Sequence, residues 1–600
     1  MIKLSDYIAQ KLADAGIRDV FMITGGGAMH LNYSIGTHPG LRCLFNHHEQ
    51  ACAMAAESYF RLSNRLPVVS VTTGPGGTNA ITGVHGAWTD SIGMLVISGQ
   101  VKWETTIRST GMSLRQVGDQ ENDIVENVRS ITKYAVMVTD PKTIRYHLEK
   151  AIYLAVSGRP GPCWLDIPMN VQGAQIDPET LAGFDPAEVD EPWVHTDLEA
   201  AVAEVLGKIH RAERPVVLAG AGVRLSGKHA DFLAAVERLG VPVVTGWNAH
   251  DVIWDAHPLY VGRPGTVGDR GGNFSVQNAD LLLVLGSRLN IRQVGWNFES
   301  FARQAHLIMV DIDEMEMRKP TLRPAQSIHG DLARFLPLLA SAPYPGPTPP
   351  HLRWLDWCKT RHGKYPVMLP EYHVSPLVNP YYFMDKLFNC LGENQVVVAG
   401  NGSACVTSFQ AANLKPGQRL YTNSGCASMG YDLPGSIGAC RAQGDKPTVC
   451  LAGDGSIMMN LQELQTIRGN NLPIKIFILN NNGYVSIRHS QQNFFRGEVG
   501  ASPASGVNMP DFEKVSAAFG LPYVRCADHD SLPEAIKATL GHDGPAVCEV
   551  FLDPDLPFAP KQSSRQLPDG RLASCPLEDL FPFLSREELK ENMLIPLWDK

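Results

Sequence analysis

Long apolar runs are missing from this sequence: no stretch of about eighteen or more apolar residues occurs, so no helix spanning a bilayer is expected. Paired cysteines are missing too. The twelve present are scattered singly with no CxxC spacing, which argues against a zinc site and reads as reduced, mostly buried thiols of a cytoplasmic protein. There is no basic block and no acidic tail. The net charge of -9 is mild and spread along the chain, so no nucleic-acid partner is expected. The N-terminal stretch MIKLSDYIAQKLADAGIRDVF carries Asp6 and Asp14 within its apolar spacing, the pattern of an amphipathic helix and not of a signal peptide. Short-period repeats and low-complexity tracts are absent as well.

What the chain does contain is length and a recurring pattern. Its 600 residues exceed one compact core and call for three to four domains. Short β-branched runs alternate with helical patterns: PVVSVTT (67–73), MLVISG (94–99), PVVLAGAG (215–222), DLLLVLGS (280–287), LIMVDID (307–313), QVVVAGNG (395–402), PTVCLAGDG (447–455) and IKIFILNNN (474–482). Each ends in Gly, Asp, Asn or Ser, as buried parallel strands do at a ligand-binding edge. The fold class is therefore α/β, with three doubly wound parallel-sheet domains. Acidic, Pro-containing 173–193 and Pro-rich SAPYPGPTPPH (341–351) are read as linkers, the second extended. They divide the chain into 1–175, 190–340 and 370–555, with 556–600 as a packed tail or lid of little strand character.

The segment 453–484 carries the most chemistry. A strand ends in Gly453-Asp454-Gly455-Ser456, a helix follows, and a second strand ends in Asn480-Asn481-Asn482-Gly483-Tyr484. Glycines let the backbone approach phosphate oxygens, and the helix beginning near Ser456 offers free N–H groups. Asp454 and Asn481, with the main-chain carbonyl of Gly483, supply hard oxygens that suit Mg²⁺.

This spacing resembles the motif of thiamine diphosphate enzymes, GDG followed some twenty-five residues later by NN. The resemblance implies Mg²⁺ on Asp454, Asn481 and Gly483, with Gly453, Gly455, Ser456 and Tyr484 around the diphosphate. VAGNGSA (398–404) is similar to the other diphosphate loop and adds Gly402 and Ser403. CASMGYDLPGSIGA (426–439) is similar to the piece that shapes the cofactor: Met429 sits under the bend between its rings, and the carbonyl of Ala427 accepts from the 4′-amino group.

In the first domain, FNHHEQACAMAAESYFRL (45–62) places Glu49 at the start of a small-residue helix. The resemblance makes Glu49 the acid that hydrogen-bonds N1′ of the pyrimidine, a buried carboxyl with a raised pKa. TGPGGTNAITG (73–83) brings Pro75 and Asn79 to the pyrimidine. GGGAMH (25–30) lines the reacting centre with Gly26 and Gly27, and GDQENDIVENVRSITKYA (118–135) resembles the acetolactate synthase segment whose Gln, here Gln120, faces the active site. These domains meet across two subunits in the family, which implies a homodimer or a larger homo-oligomer.

The middle domain is similar to the FAD-containing acetolactate synthase group. LAGAGVRLSG (218–227), VGRPGTVG (261–268), LGSRLNIRQVG (285–295) and VDIDEMEM (310–317) follow its FAD stretches in order. Carried over, Gly220, Gly222, Gly246, Trp247, Gly265, Thr266, Arg288, Asn290, Arg292, Asp311 and Ile312 contact a structural FAD; Asn290 stands where that group often has Asp. At the substrate end Arg488 replaces a Trp associated with preference for 2-ketobutyrate; it is expected either to present its charge to the acceptor or to pair with a nearby carboxylate at the rim. The GGGAMHLN and HHEQACAMAAE stretches and the tail PLEDLFPFLSREELKENM (576–593) resemble thiamine enzymes of surface-polysaccharide clusters, for which the enzyme of yersiniose A biosynthesis is the functional model. The expected activity is decarboxylation of pyruvate or a similar 2-keto acid and transfer of the acyl unit to a ketone or aldehyde, possible acceptors including a nucleotide-linked ketosugar. Acetolactate synthesis, a flavin-redox oxidase and a non-catalytic thiamine-binding protein remain as alternatives.

Overall fold

The computed structural model describes residues 1–189, 197–374, 376–495, 497–566 and 572–598. Residues 190–193 of the expected first linker, and 567–571 and 599–600 of the tail, lie outside them.

Three parallel sheets carry the chain. The first holds β1 (Asp19–Met22), β2 (Arg42–Phe45), β3 (Val68–Val71), β4 (Met94–Gln100), β5 (Tyr134–Met137) and β6 (Pro162–Pro168) in the order β2-β1-β3-β4-β6-β5. The second holds β7 (Pro215–Ala219), β8 (Val243–Thr245), β9 (Leu281–Leu285), β10 (His306–Asp311) and β11 (Gln326–His329) in the order β8-β7-β9-β10-β11. The third holds β12 (Val396–Ala399), β13 (Arg419–Tyr421), β14 (Thr448–Gly453), β15 (Ile474–Asn480), β16 (Tyr523–Cys526) and β17 (Ala546–Phe551) in the order β13-β12-β14-β15-β17-β16. The first and third sheets thus share one topology. The continuous apolar runs explain these strands: every residue of β4 and β9 is buried, because helices cover both faces of a parallel sheet. All eight runs named from the sequence are strands, and the N-terminal stretch forms helix α1 (Leu4–Asp14) with Leu4, Ile8 and Leu12 buried.

The first and third sheets are locked together by α2 (Glu49–Ser63), which is followed in the chain by α3 (Pro75–Thr89), and in the third domain by α5 (Asp432–Ala442), preceded by α4 (Ser403–Ala411). Small residues explain the fit between α2 and α5. Ala51, Ala53, Ala55 and Ala56 are fully buried, and a Cβ on Gly438 would meet the Ala55 carbonyl oxygen at 1.9 Å. Ser58 Oγ donates to the Gly435 carbonyl across the same seam at 2.6 Å. One apolar core runs through both domains, from Phe21 and Val71 to Ile437 and Ile476.

The tail straps the middle domain. Glu578 takes Gln277 Nε2 at 2.5 Å and Arg303 at 2.9 Å, and Arg270 donates to the Leu580 carbonyl at 3.3 Å. The described residues of the tail have little strand character, with a short antiparallel ladder of Ser564–Gln566 and Leu572–Ser574. One expectation is corrected. The Pro-rich linker is not extended throughout: Pro349 to His351 open a helix, Pro349–Lys364, since a first-turn proline lacks only an N–H the helix does not use. Among the described residues no cysteine is paired in a disulfide, and no helix is long and apolar enough to cross a membrane.

Candidate active site

Strands β12, β14 and β15 are adjacent and in register, so their carboxyl ends come side by side. Asp454 follows β14 and is 1% exposed; its Oδ2 accepts the Gly483 N–H at 2.9 Å and its Oδ1 the Gly455 N–H at 3.0 Å. Burial pushes its carboxyl up to about 7 against these amide donors. Asn481 donates Nδ2 to Ser403 Oγ at 3.1 Å, while its buried Oδ1 has no hydrogen-bond partner. A buried carboxyl and an orphaned amide oxygen on neighbouring loops make a pair of hard ligands. Mg²⁺ fits them. Gly483 closes the turn at φ +129°, and a Cβ there would strike the Ala501 carbonyl at 2.3 Å, so only glycine serves. Gly402 opens α4, whose N-terminus faces the same edge, and a Cβ on it would meet nothing closer than Ser486 Oγ at 4.0 Å. That is an open cradle for a phosphate. Tyr484 lays its ring over Gly455.

An arch from Asn423 to Asp432 stands beside these loops. Ala427 sits at its crest with φ 53°, its N–H donated to the Asn423 carbonyl at 2.7 Å. Asn401 Nδ2 donates to the Ala427 carbonyl at 2.8 Å; the carbonyl's second lone pair stays available. The Gly430 N–H meets Ser456 Oγ at 3.0 Å, Ser456 meets Asp432 Oδ2 at 2.6 Å, and Asn460 Nδ2 meets the Gly430 carbonyl at 2.8 Å. The 398–404 and 453–460 segments therefore both hold the arch that carries half-buried Met429.

Glu49 is the first residue of α2, where His48 Nδ1 accepts the Gln50 N–H at 3.0 Å. Asn79 Nδ2 donates to Glu49 Oε2 at 3.0 Å, and Pro75 opens α3. The expected burial of Glu49 is not reached within one chain: the first turn of α2 ends at the surface and the side chain is half-exposed. Gln120 takes φ 62°, with its carbonyl near Thr73 Oγ1 at 3.4 Å, and is exposed, as is Gly26; Gly27 is buried. The start of α2 is fastened to the third domain by Glu463, which accepts Asn46 Nδ2 at 2.8 Å and the His47 N–H at 2.9 Å. Asn460 reaches Gln50 Oε1 at 3.0 Å.

Arg488 turns inward, nearer the second of its two expected roles. It is 7% exposed and its Nη2 donates to the Asn482 carbonyl at 2.9 Å and the Asn481 carbonyl at 3.5 Å, with Glu498 Oε2 4.0 Å from Nε. Helix α6 (Val485–Phe494) directs it back at the Asn481–Gly483 turn.

Where the three domains meet lies a cavity of about 350 Å³. Gly220, Gly222, Trp247, Arg288, Asn290, Asp311 and Ile312 line it. Gly246, Gly265, Thr266 and Arg292 do not. Gly246 donates its N–H to the Ala219 carbonyl at 2.8 Å, Gly265 packs on the Arg292 carbonyl, the Thr266 N–H meets that carbonyl at 2.9 Å, and the Arg292 guanidinium lies 4.7 Å over the Trp247 ring. Burial pushes Asp311 up to about 6. Sequence reasoning missed Arg61, Asp90, Arg159 and Ser424, which other domains lend to the same cavity; no local motif marks them. Asn401, Asp432, Asn460 and Glu463 were missed as well. Asn401 and Asp432 were the two with a signal, lying inside the VAGNGSA and CASMGYDLPGSIGA stretches.

Three family profiles match the chain in turn. One described as thiamine pyrophosphate enzyme, N-terminal TPP binding domain, matches residues 2–122. The central domain of the same family matches 202–339, and its C-terminal TPP binding domain 400–550. Acetolactate synthase isozyme 1 large subunit of Escherichia coli is 30% identical over 553 residues, 92% of this chain and 94% of that protein. The acetolactate synthase large subunit of Corynebacterium glutamicum is 30% identical over 93% of this chain and 88% of its own. Chloroplastic acetolactate synthase 1 of Zea mays is 31% identical over 92% and 85%.

Proposed function

The chain belongs to the thiamine pyrophosphate enzymes, and we propose that it decarboxylates pyruvate or a similar 2-keto acid and ligates the acyl unit to a ketone or aldehyde. The observation that carries this reading is the buried Asp454 carboxyl beside the unpartnered Asn481 Oδ1, on strand ends next to the Gly402–Ser403 loop. Bound there, thiamine diphosphate supplies the electron sink for loss of CO₂.

The chain's own groups do the rest. Asp454, Asn481 and the Gly483 carbonyl hold Mg²⁺, and Gly402, Ser403 and the N-terminus of α4 take the diphosphate. Met429 supports the bend between the rings, and the Ala427 carbonyl orients the amino group. Asn79 engages one oxygen of Glu49, leaving the other for a proton shared with N1′. Gln120, Gly26 and Gly27 border the reacting centre. Half-exposed Glu49 supports a homo-oligomer in which a second subunit covers it. The cavity between the domains, with its glycine turns and Asp311, fits a structural FAD.

The acceptor reading, a nucleotide-linked ketosugar, is supported by the resemblance of the N-terminal stretches and the tail to surface-polysaccharide enzymes. The placement of Arg488 gives it no help. Acetolactate synthesis from two 2-keto acids is the second reading, favoured by the relatives at 30–31% identity. Product analysis with pyruvate alone, and with nucleotide-linked ketosugars added, decides between them. The first reading expects a nucleotide-linked sugar carrying the two-carbon branch in preference to acetolactate; acetolactate as the sole product in every mixture overturns it. Glu49→Gln is the control for chemistry at the cofactor, with turnover down about 10²–10⁴-fold and cofactor still bound.

A further inference from the structure

Glu57, Arg61 and Asp90 are buried charges to which the site so far described gives no role. Glu57 is 1%, Arg61 7% and the Asp90 side chain 10% exposed. Glu57 takes Arg61 Nε at 3.1 Å on one oxygen and the Tyr431 hydroxyl on the other. Arg61 Nη2 goes on to Asp90 Oδ2 at 2.8 Å. That oxygen also faces the Gly425 N–H at 3.4 Å, and Asp90 Oδ1 lies 3.8 Å from Arg288 Nη2. Gly425 and Tyr431 flank Ala427 and Met429 on the arch, and Arg61, Asp90 and Arg288 all line the domain-junction cavity. One connected set of charges therefore runs from the cavity wall to both feet of the arch.

Two points weigh against a merely structural ion cluster. Burying several charges is costly, and apolar residues of like size commonly do as well for stability. Asp90 is moreover the residue that ends α3, where a negative charge opposes the helix dipole, so its carboxylate does not serve the helix that carries it.

We infer that Asp90 and Glu57 are positioning residues for the thiamine site, which through Arg61, Gly425 and Tyr431 set the arch under the cofactor, and that Arg288 makes this setting respond to what fills the cavity. This rests on the flavin reading of the cavity. Arg288 is one-third exposed and only loosely held to Asp90. A diphosphate in the cavity offers its guanidinium a better, bidentate partner. Asp90 then keeps Arg61 and the Gly425 N–H as its partners, and the arch is held more firmly. A ligand that takes no part in redox chemistry thereby acts on the reaction by coupling, which must be reciprocal between the two sites.

The test uses full-length protein freed of flavin and titrated with thiamine diphosphate and Mg²⁺, with and without saturating FAD. FAD binding is followed separately by quenching of flavin fluorescence. In the wild type, FAD is expected to tighten thiamine diphosphate binding at least about fivefold. Asp90→Asn keeps the size of the side chain but loses its pull on both guanidinium groups, so the ratio falls to within about twofold of unity while each ligand still binds. Arg288→Gln, at the cavity wall, provides an independent arm: without FAD its thiamine diphosphate affinity moves towards the loaded wild-type value, and FAD adds nothing further. A wild-type ratio in either variant, or FAD that binds the wild type without changing thiamine diphosphate affinity, overturns the relay. Failure of FAD to bind the wild type at all removes the flavin reading instead, so the two failures are distinguishable.

Discussion

The loops at residues 401–483 and the cavity between the domains are the two places that the proposed function gives to phosphate-bearing cofactors, yet they are assembled in opposite ways. The loops are the ends of three strands that are neighbours in one sheet, so ligands far apart in sequence are brought together by register alone. The cavity draws on residues from Arg61 to Ser424, in all three domains. A small ion needs a few hard atoms fixed closely, which a sheet edge provides. A long nucleotide needs a trench, and a junction of domains supplies one. The first arrangement stands or falls with single residues; the second spreads its interactions.

The largest break in this comparison is Asp454→Ala. Loss of the one anionic ligand is expected to weaken Mg²⁺ and thiamine diphosphate together by about 100-fold or more, while FAD affinity stays within about tenfold of normal. Parallel calorimetric titrations of the two cofactors check it; joint loss of both would mean that the regions are one cooperative unit. A smaller effect is expected from Arg488→Gln, which removes the donors gripping the Asn481 and Asn482 carbonyls. Mg²⁺ affinity should drop about 10-fold, as for supporting groups at metal sites, with the ratio of products from mixed acceptors unchanged. A shifted ratio at normal Mg²⁺ affinity would restore Arg488 to the acceptor.

The same contrast decides what could be read in advance. The strand runs, and the GDG and NN turns that end two of them, were legible because buried parallel strands are continuously apolar and break off at glycine and polar residues. Glu49 was singled out only through its likeness to a family, since a Glu in a first helical turn is ordinary. Arg488 was open to two readings, acceptor contact or a pair with a carboxylate; its side chain turns inward to two carbonyls of the Gly483 turn, with Glu498 Oε2 4.0 Å away, a path that sequence position does not fix. Arg61, Asp90 and Ser424 were invisible, because a wall shared by three domains has no period and no motif. Gly265, Thr266 and Arg292 show the converse, residues in a matching stretch that pack behind the cavity wall.

The smallest expected effect concerns Asp311, whose carboxyl burial pushes from 3.8 up to about 6. The folded protein binds this proton more tightly than the unfolded chain does, so the group's contribution to stability is fully present below about pH 4 and is lost as pH rises through 6. Above that, the cavity wall carries a buried charge at a cost, only partly relieved by the Asp313 N–H at 2.9 Å and the field of Arg159. Asp311→Asn removes the charge. In flavin-free protein its melting temperature should match the wild type near pH 4 and exceed it by several degrees at pH 7.5. FAD binding should weaken in the same variant, because an anionic acceptor for ligand hydroxyls is gone. Melting curves across pH 4–8, with and without FAD, separate the two effects. A variant less stable than wild type at pH 7.5 would mean that Asp311 stabilises the wall itself, and that the cavity, like the strand-end loops, depends on single residues.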